Sequence, residues 1–366
     1  MESRITAVET RAGGQDANRL AWVDVAKGVC IILVVMMHST LGTGIAMEGE
    51  GFLHTLVAFA RPFRIPDFFL LSGLFLGRVI DRDWRLFLDR RLVHFAYFYV
   101  LWVLIQSAAK YGQIVEGAGP GAFLAHLATA LVEPYSTLWF IYLLAVFSVL
   151  TKVLRRVPAP VILGLAALLE FLTVRTGIEL VDEFCARYVW FLVGYLFAGR
   201  IFDFADGVQR HVRAALLGLA LWAVTNAALV FLPSGLASVP SLAHLPVLGF
   251  LLSGAGALAI VAIGALMSRA GGPVTEALRA CGQRSIVIYL AFFLPMAFTR
   301  TLIVKTGAIA DIGLASLVVT VVALLVPLAF ERMIRHTPAA FLFRRPKAFH
   351  IVGERPRPAA PGLRTA

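Results

Sequence analysis

The chain has 366 residues, of which 59% are apolar and only 15% charged, with 33 Lys and Arg against 22 Asp and Glu for a formal net charge of +11. Soluble domains run at about 45–50% apolar and about 25% charged, and apolar runs long enough to cross a hydrocarbon layer of about 30 Å recur from residue 21 to residue 334. This excludes disordered chains, disulfide scaffolds and soluble Rossmann or barrel enzymes, and predicts an all-α polytopic membrane protein in the lipid bilayer.

Ten spans are expected, at about residues 20–47, 54–79, 90–109, 136–154, 158–174, 186–203, 212–232, 244–267, 283–303 and 308–334. They follow an N-terminal segment (1–19), form one transmembrane domain (20–335), and lead to a basic, Pro-rich tail (336–366). The tail is expected to be solvated from Phe343 onward, because it offers little apolar area to bury. The connections alternate in charge. One set carries Arg4, Arg11 and Arg19, then the run Arg78 to Arg91, then Lys152 to Arg156, Arg200 to Arg213, and Arg269 to Arg284. The other set is almost bare. Basic residues are retained on the cytoplasmic side, so both termini are expected there, and the basic excess reads as topology rather than nucleic-acid binding. The first span follows about twenty polar residues and lacks a small-residue cleavage site, so it is expected to be retained.

In chain order, the first span holds Asp24, Lys27 and His38. At 100° per residue Lys27 and His38 are about 20° apart around the helix and about 16 Å apart along it, with Asp24 within about 60° of both. All three share one stripe. The second span carries Arg61, Arg64 and Asp67 at intervals of three, with Pro62 and Pro66 between them. Prolines leave carbonyls without their usual donor, so this segment is expected to be broken and to line a cavity. Charges inside a bilayer cost several kcal/mol and are retained where they face a cavity or a partner. The expectation is therefore one hollow in the outer half of the bundle shared by His38, Arg61, Arg64 and Asp67. The plainer alternative is an Arg64–Asp67 pair beside a hydrogen-bonded core histidine. An imidazole suits general-base work on a hydroxyl, and arginines nearby could stabilise a developing oxyanion; a proton-coupled transporter or flippase would use the same groups.

The run from Arg19 to His38, with Asp24, Lys27 and Gly28, resembles the first-helix signature of the membrane-bound acyltransferase family 3, which includes bacterial O-acetylases. Arg64-Ile-Pro-Asp-Phe-Phe-Leu-Leu-Ser-Gly73 is similar to its second motif. Leu138-Trp139-Phe140, Tyr188 to Tyr195 with Gly194, and Gly282-Gln-Arg284-Ser285 to Tyr289-Leu290 are similar to later ones. The resemblance implies an O-acyltransferase of the inner membrane that takes an acyl group, acetyl first among candidates, from cytoplasmic acetyl-CoA or another acyl-CoA and passes it to a hydroxyl on a glycan or other envelope acceptor. It implies His38 as the catalytic histidine; Arg64, Arg61 and Asp67, read above into the same hollow, complete the candidate catalytic centre, with Arg61, Arg64 and Lys27 shaping its electrostatics. Lys27, Arg82, Arg85, Arg90 and Arg91 are implied at the CoA phosphates, where the arginines equally serve topology. Asp24, Arg187 and Tyr289 are taken as substrate-binding candidates, with an Arg187–Glu183 pair as the simpler reading of Arg187. Two positions depart from the family pattern. His94-Phe95 stands near an expected proline, and Phe292 stands where a histidine often follows Tyr-Leu; a catalytically silent relative is the reading they favour. Trp22, Trp102, Trp139, Trp190 and Trp222 are expected in interfacial belts, and Gly254, Gly256 and Gly264 at close helix contacts. Cys30, Cys185 and Cys281 are too far apart for a framework or a metal set, no Walker, dinucleotide or HExxH motif is present, and no metal is expected.

Overall fold

A computed structural model describes residues 2–117, 119–236 and 239–352, with side chains described from residue 21 onward except at Leu236. Helix α1 (Glu2–Ala46) is continuous, and its Ala21–Ala46 portion is apolar and long enough to cross a bilayer. The second segment is broken into α2 (Phe52–Ala60), α3 (Pro66–Gly73) and the short α4 (Gly77–Ile80). Next come α5 (Trp84–Leu88) and α6 (His94–Ala109), which a π-helical turn at Asp89–Val93 joins into one span. The connection that follows contains α7 (Tyr111–Val115) and the apolar α8 (Gly121–Ala130). Helices α9 (Trp139–Val153) and α10 (Ala159–Phe171) lead to α11 (Glu179–Leu196) and α12 (Ala198–Arg210). Beyond them lie α13 (Val212–Phe231), a small antiparallel hairpin of β1 (Pro233–Leu236) and β2 (Val239–Ser241), α14 (Pro246–Ala270), α15 (Pro273–Gln283), α16 (Ser285–Ala291), α17 (Phe293–Thr306) and α18 (Ile312–Ile334).

The protein is a polytopic helical membrane protein, but the ten expected spans are not ten plain helices. Among the described residues six helical segments are long and apolar enough to cross, or eight if each bent pair is one span. The remaining two expected spans are the broken α2–α4 segment and α10, whose thirteen residues rise only about 20 Å. The expected span 186–203 runs across a 74° bend between α11 and α12. Helix α12 carries Arg200, Asp203, Asp206 and Arg210 and buries Ile201, Ala205 and Val208 on one face, which is the pattern of a helix lying along a surface rather than crossing lipid. The expected span 283–303 bends by 51° between α16 and α17. Pro295 explains it: its ring crowds the carbonyl of Ala291 and removes one donor.

The glycines of the motifs hold the bundle together. A Cβ on Gly28 would overlap the Leu278 carbonyl, and one on Gly282 the Asp24 carbonyl, so α1 and α15 cross at backbone contact. Gly73 and Gly194 do the same for α3 and α11, against Phe191 and Leu70 carbonyls. With no hydrophobic drive between helices in lipid, such close packing supplies the dispersion contact that holds them. Gly256 and Gly264 likewise abut Phe63 and Trp22. The tryptophan belt is not found as expected: Trp22, Trp102 and Trp190 are buried in the interior.

The C-terminal segment departs from the expected solvated tail. Residues 338–349 form two short 3-10 turns docked on α6. Tyr97 and Trp102 donate to the carbonyls of Phe341 and Leu342 at 3.0 and 3.1 Å, and Phe343 packs on the Trp102 ring. The clasp is Asp89, buried in the π-helical turn. It accepts from Arg345 Nη2 at 2.9 Å and from the Ile351 amide at 2.7 Å, while its own carbonyl accepts from Arg345 Nη1 at 2.7 Å. Residues 343–352, expected to be solvated, are docked instead, because one buried acid supplies partners that the composition did not advertise. Residues 353–366 of the expected tail lie outside the described residues.

Candidate functional site

The break in the second segment is built from hydrogen-bond bookkeeping. Arg61 N turns to Ala58, and Phe63 N to Ala60, which frees the carbonyls of Val57 and Phe59; Pro66, having no N–H, leaves that of Pro62 free. Side chains fill all three places. Arg64 Nη1 donates to Val57 at 2.9 Å, Asn226 Nδ2 to Phe59 at 2.9 Å and Ser253 Oγ to Pro62 at 2.6 Å. Irregular backbone at membrane depth persists only when it is satisfied in this way.

On one side of the break lies a vestibule of about 540 Å³. Arg61, Arg64, Glu170, Arg175, Arg187 and His244 all line it. Arg61 Nη1 donates to His244 Nε2 at 2.7 Å; because arginine can only donate, the ring proton is on Nδ1, which faces Ser241 Oγ at 2.8 Å. Burial, and then the Arg61 charge, hold the His244 imidazole below its ordinary pKa. Arg187 Nε pairs with Glu183 at 2.9 Å, the simpler reading of that residue, and it still reaches the vestibule wall.

On the other side of the break is a much smaller cavity of about 60 Å³ beside His38, walled by Ile31, Val34, Met37, Ile65, Phe68, Thr137, Trp139, Phe140 and Tyr289. The His38 ring packs on Phe292, centroids 5.5 Å apart, so the side chain that departs from the family pattern at the α16–α17 bend is the one touching the imidazole. Tyr289 donates its hydroxyl to the Thr137 carbonyl. The Thr137 hydroxyl is buried and has no partner, as are those of Ser39 and Thr40, next to His38 on α1.

The single hollow expected for four ionisable groups is therefore divided. Ile65 lines both cavities, whereas His38 lines only the smaller one and Arg61 and Arg64 only the larger. The physical reason is local: Arg64 is drawn back along its own segment to satisfy the Val57 carbonyl. Asp67 is in neither cavity wall. It is 1% exposed, both carboxylate oxygens lack hydrogen-bond partners, and it lies within Coulomb range of Cys30 on α1. The Arg64–Asp67 pair of the plainer alternative is thus not formed.

At the far end of α1 the basic cluster is compact. Lys27 Nζ and Arg78 sit 5.1 Å from the Phe75 ring centre, Arg91 Nη2 reaches the Phe75 carbonyl at 3.5 Å, and Asp24 accepts from Gln283 Nε2 at 3.1 Å. Arg82, Arg85 and Arg90 are exposed around it. Lys152, read from sequence only as a topology charge, is buried instead. It donates to the carbonyls of Ile80 and Arg82, at 2.6 Å each, and lies between the Trp84 and Phe87 rings. His244, Thr137 and Lys152 are among the residues that sequence reasoning missed. Thr137 directly precedes the quoted Leu138-Trp139-Phe140 motif, but a threonine at a helix start carries no signal of its own.

Comparison with known proteins adds a family. The model of an acyltransferase domain family, acyltransferase 3, matches residues 20–332. The inner membrane protein YcfT of Escherichia coli (strain K12) is 26% identical over 171 residues, covering 38% of this chain and 45% of that protein, so the match takes in less than half the length of this relative. No solved structure matches.

Proposed function

Because the chain belongs to the acyltransferase 3 family, we propose that it is an integral membrane O-acyltransferase. It carries an acyl group, acetyl first among candidates, from acyl-CoA at the basic end of the bundle to a hydroxyl of a glycan or other envelope acceptor at the vestibule end. We read the basic end as cytoplasmic, with both termini there, and the bilayer as the bacterial cytoplasmic membrane.

The observation that carries this reading is the position of His38. It faces an apolar cavity, and Ile65 lines both that cavity and a polar, arginine-lined vestibule. A donor can therefore approach from one end and an acceptor from the other. Lys27, Arg91 and Arg78 around Phe75, with Arg82, Arg85 and Arg90 outside them, provide cations for the CoA phosphates, and Asp24 keeps that end of α1 tied to Gln283. His38 takes the proton of the acceptor hydroxyl as its oxygen attacks the thioester carbonyl. The C–O bond forms, the C–S bond breaks, and the imidazolium returns the proton to the departing CoA thiolate. Arg64 and Arg61 bias the field toward the oxyanion, and Asp67, in the first turn of α3, is part of the same charged segment. Arg187, Arg61 and His244 receive the acceptor.

The test uses acetyl-CoA labelled in its acetyl group, incubated with membranes that carry the protein and with envelope glycans. The expected result is hydroxylamine-labile label on the glycan, at a rate that drops at least 100-fold in His38→Ala, within the range for removal of a general base.

A further inference from the structure

The cavity beside His38 has walls that say what fits. Ile31, Val34, Met37, Phe68 and Phe140 are hydrocarbon or aromatic surfaces, and the polar groups are few: the imidazole, the Tyr289 hydroxyl already given to a carbonyl, and the buried, unpartnered hydroxyl of Thr137. An apolar cavity of about 150 Å³ takes a six-carbon ring, so one of about 60 Å³ has room for two or three non-hydrogen atoms.

We propose that this cavity is the acyl pocket, built for a two-carbon uncharged acyl group whose carbonyl oxygen is received by the Thr137 hydroxyl while its methyl end meets Val34 and Met37. The proposal rests on the acyltransferase reading and adds the size and charge of the group carried. A longer chain lacks volume in a packed interior, which does not dilate cheaply. A succinyl group brings a carboxylate as well, and that wall offers it no cation. A buried hydroxyl without a partner is itself unusual, since such groups are normally bonded; a carbonyl oxygen arriving with the acyl group would complete it.

The experiment measures transfer from acetyl-, butyryl- and succinyl-CoA in the same membranes. Wild type should prefer acetyl over butyryl by at least tenfold and give no succinyl transfer. Met37→Ala, which deletes three non-hydrogen atoms from the wall, should shift the acetyl-to-butyryl ratio at least fivefold toward butyryl. Val34→Ala should shift it the same way and serves if Met37→Ala does not accumulate. Thr137→Val should lower acetyl transfer at least tenfold, mainly in kcat, with Thr137→Ser restoring it; a merely structural threonine would not separate these two. Equal use of all three donors by wild type, or an unchanged ratio in both enlarged variants, overturns the pocket. Absence of transfer from every acyl-CoA by wild type would instead overturn the acyltransferase reading, so the two failures are distinguishable.

Discussion

The two cavities on either side of Ile65 are opposites in size and lining. The one at His38 is small and walled by aliphatic and aromatic groups; the vestibule is nine times larger, at about 540 Å³ against about 60 Å³, and is lined by arginines, acids and an imidazole. Both are made by the same broken segment, since Ile65 follows Arg64 and precedes Pro66. A thioester is safer from water in the first, and a polyhydroxyl acceptor is better held in the second. The difference teaches that the break in the second span separates as much as it connects: on the proposed reading it would keep the acyl group dry on one side and hold the acceptor on the other.

The largest effect should come from dismantling the frame that holds the two compartments apart. Gly282→Leu puts a side chain into the Asp24 carbonyl at the α1–α15 crossing, and Gly194→Leu does so at the α3–α11 crossing; each should abolish the monodisperse protein peak in detergent chromatography. Next in size, Ile65→Ala merges the compartments. It should raise acetyl-CoA hydrolysis without acceptor by about tenfold, an amount equal to about 1.4 kcal/mol in barrier, as read by thiol release. A smaller change is expected from Ser253→Ala, which leaves the Pro62 carbonyl bare; a thermal unfolding assay should show a loss of about 1 kcal/mol, the scale of one intramembrane hydrogen bond. The smallest concerns pH at the vestibule. His244 is held below its ordinary pKa by burial and by Arg61, so the neutral ring stabilises the fold above the ordinary value near 6.5. That contribution is lost as pH falls through the depressed one. Wild type should therefore lose a few tenths of a kcal/mol more than His244→Gln between pH 7.5 and 5, since a partly exposed contact is screened.

Much of this was legible in the residues. Alternating charge and apolar length predicted a helical membrane protein; the paired prolines predicted the broken second segment; Gly28, Gly73, Gly194 and Gly282 stood in the quoted motifs and turn out to be helix crossings. What periodicity does not encode is where one polar side chain spends its hydrogen bond. Arg64 was expected to meet His38 or Asp67, and instead satisfies the Val57 carbonyl. Asp89 was one charge among many in a basic loop, yet it clasps Arg345 and Ile351 and orders a tail that composition alone leaves free. Pro295 and Phe292 lay in plain view within an expected straight span, but the bend they make against His38 depends on which helix packs opposite.

The imidazole of His38 as proton acceptor for an ester-forming transfer is the central claim, and one rate tests it most directly. Acetyl transfer from labelled acetyl-CoA to envelope glycan should be lost by at least 100-fold in purified His38→Ala that elutes as wild type does and still binds CoA. Undiminished transfer by that variant would contradict the account.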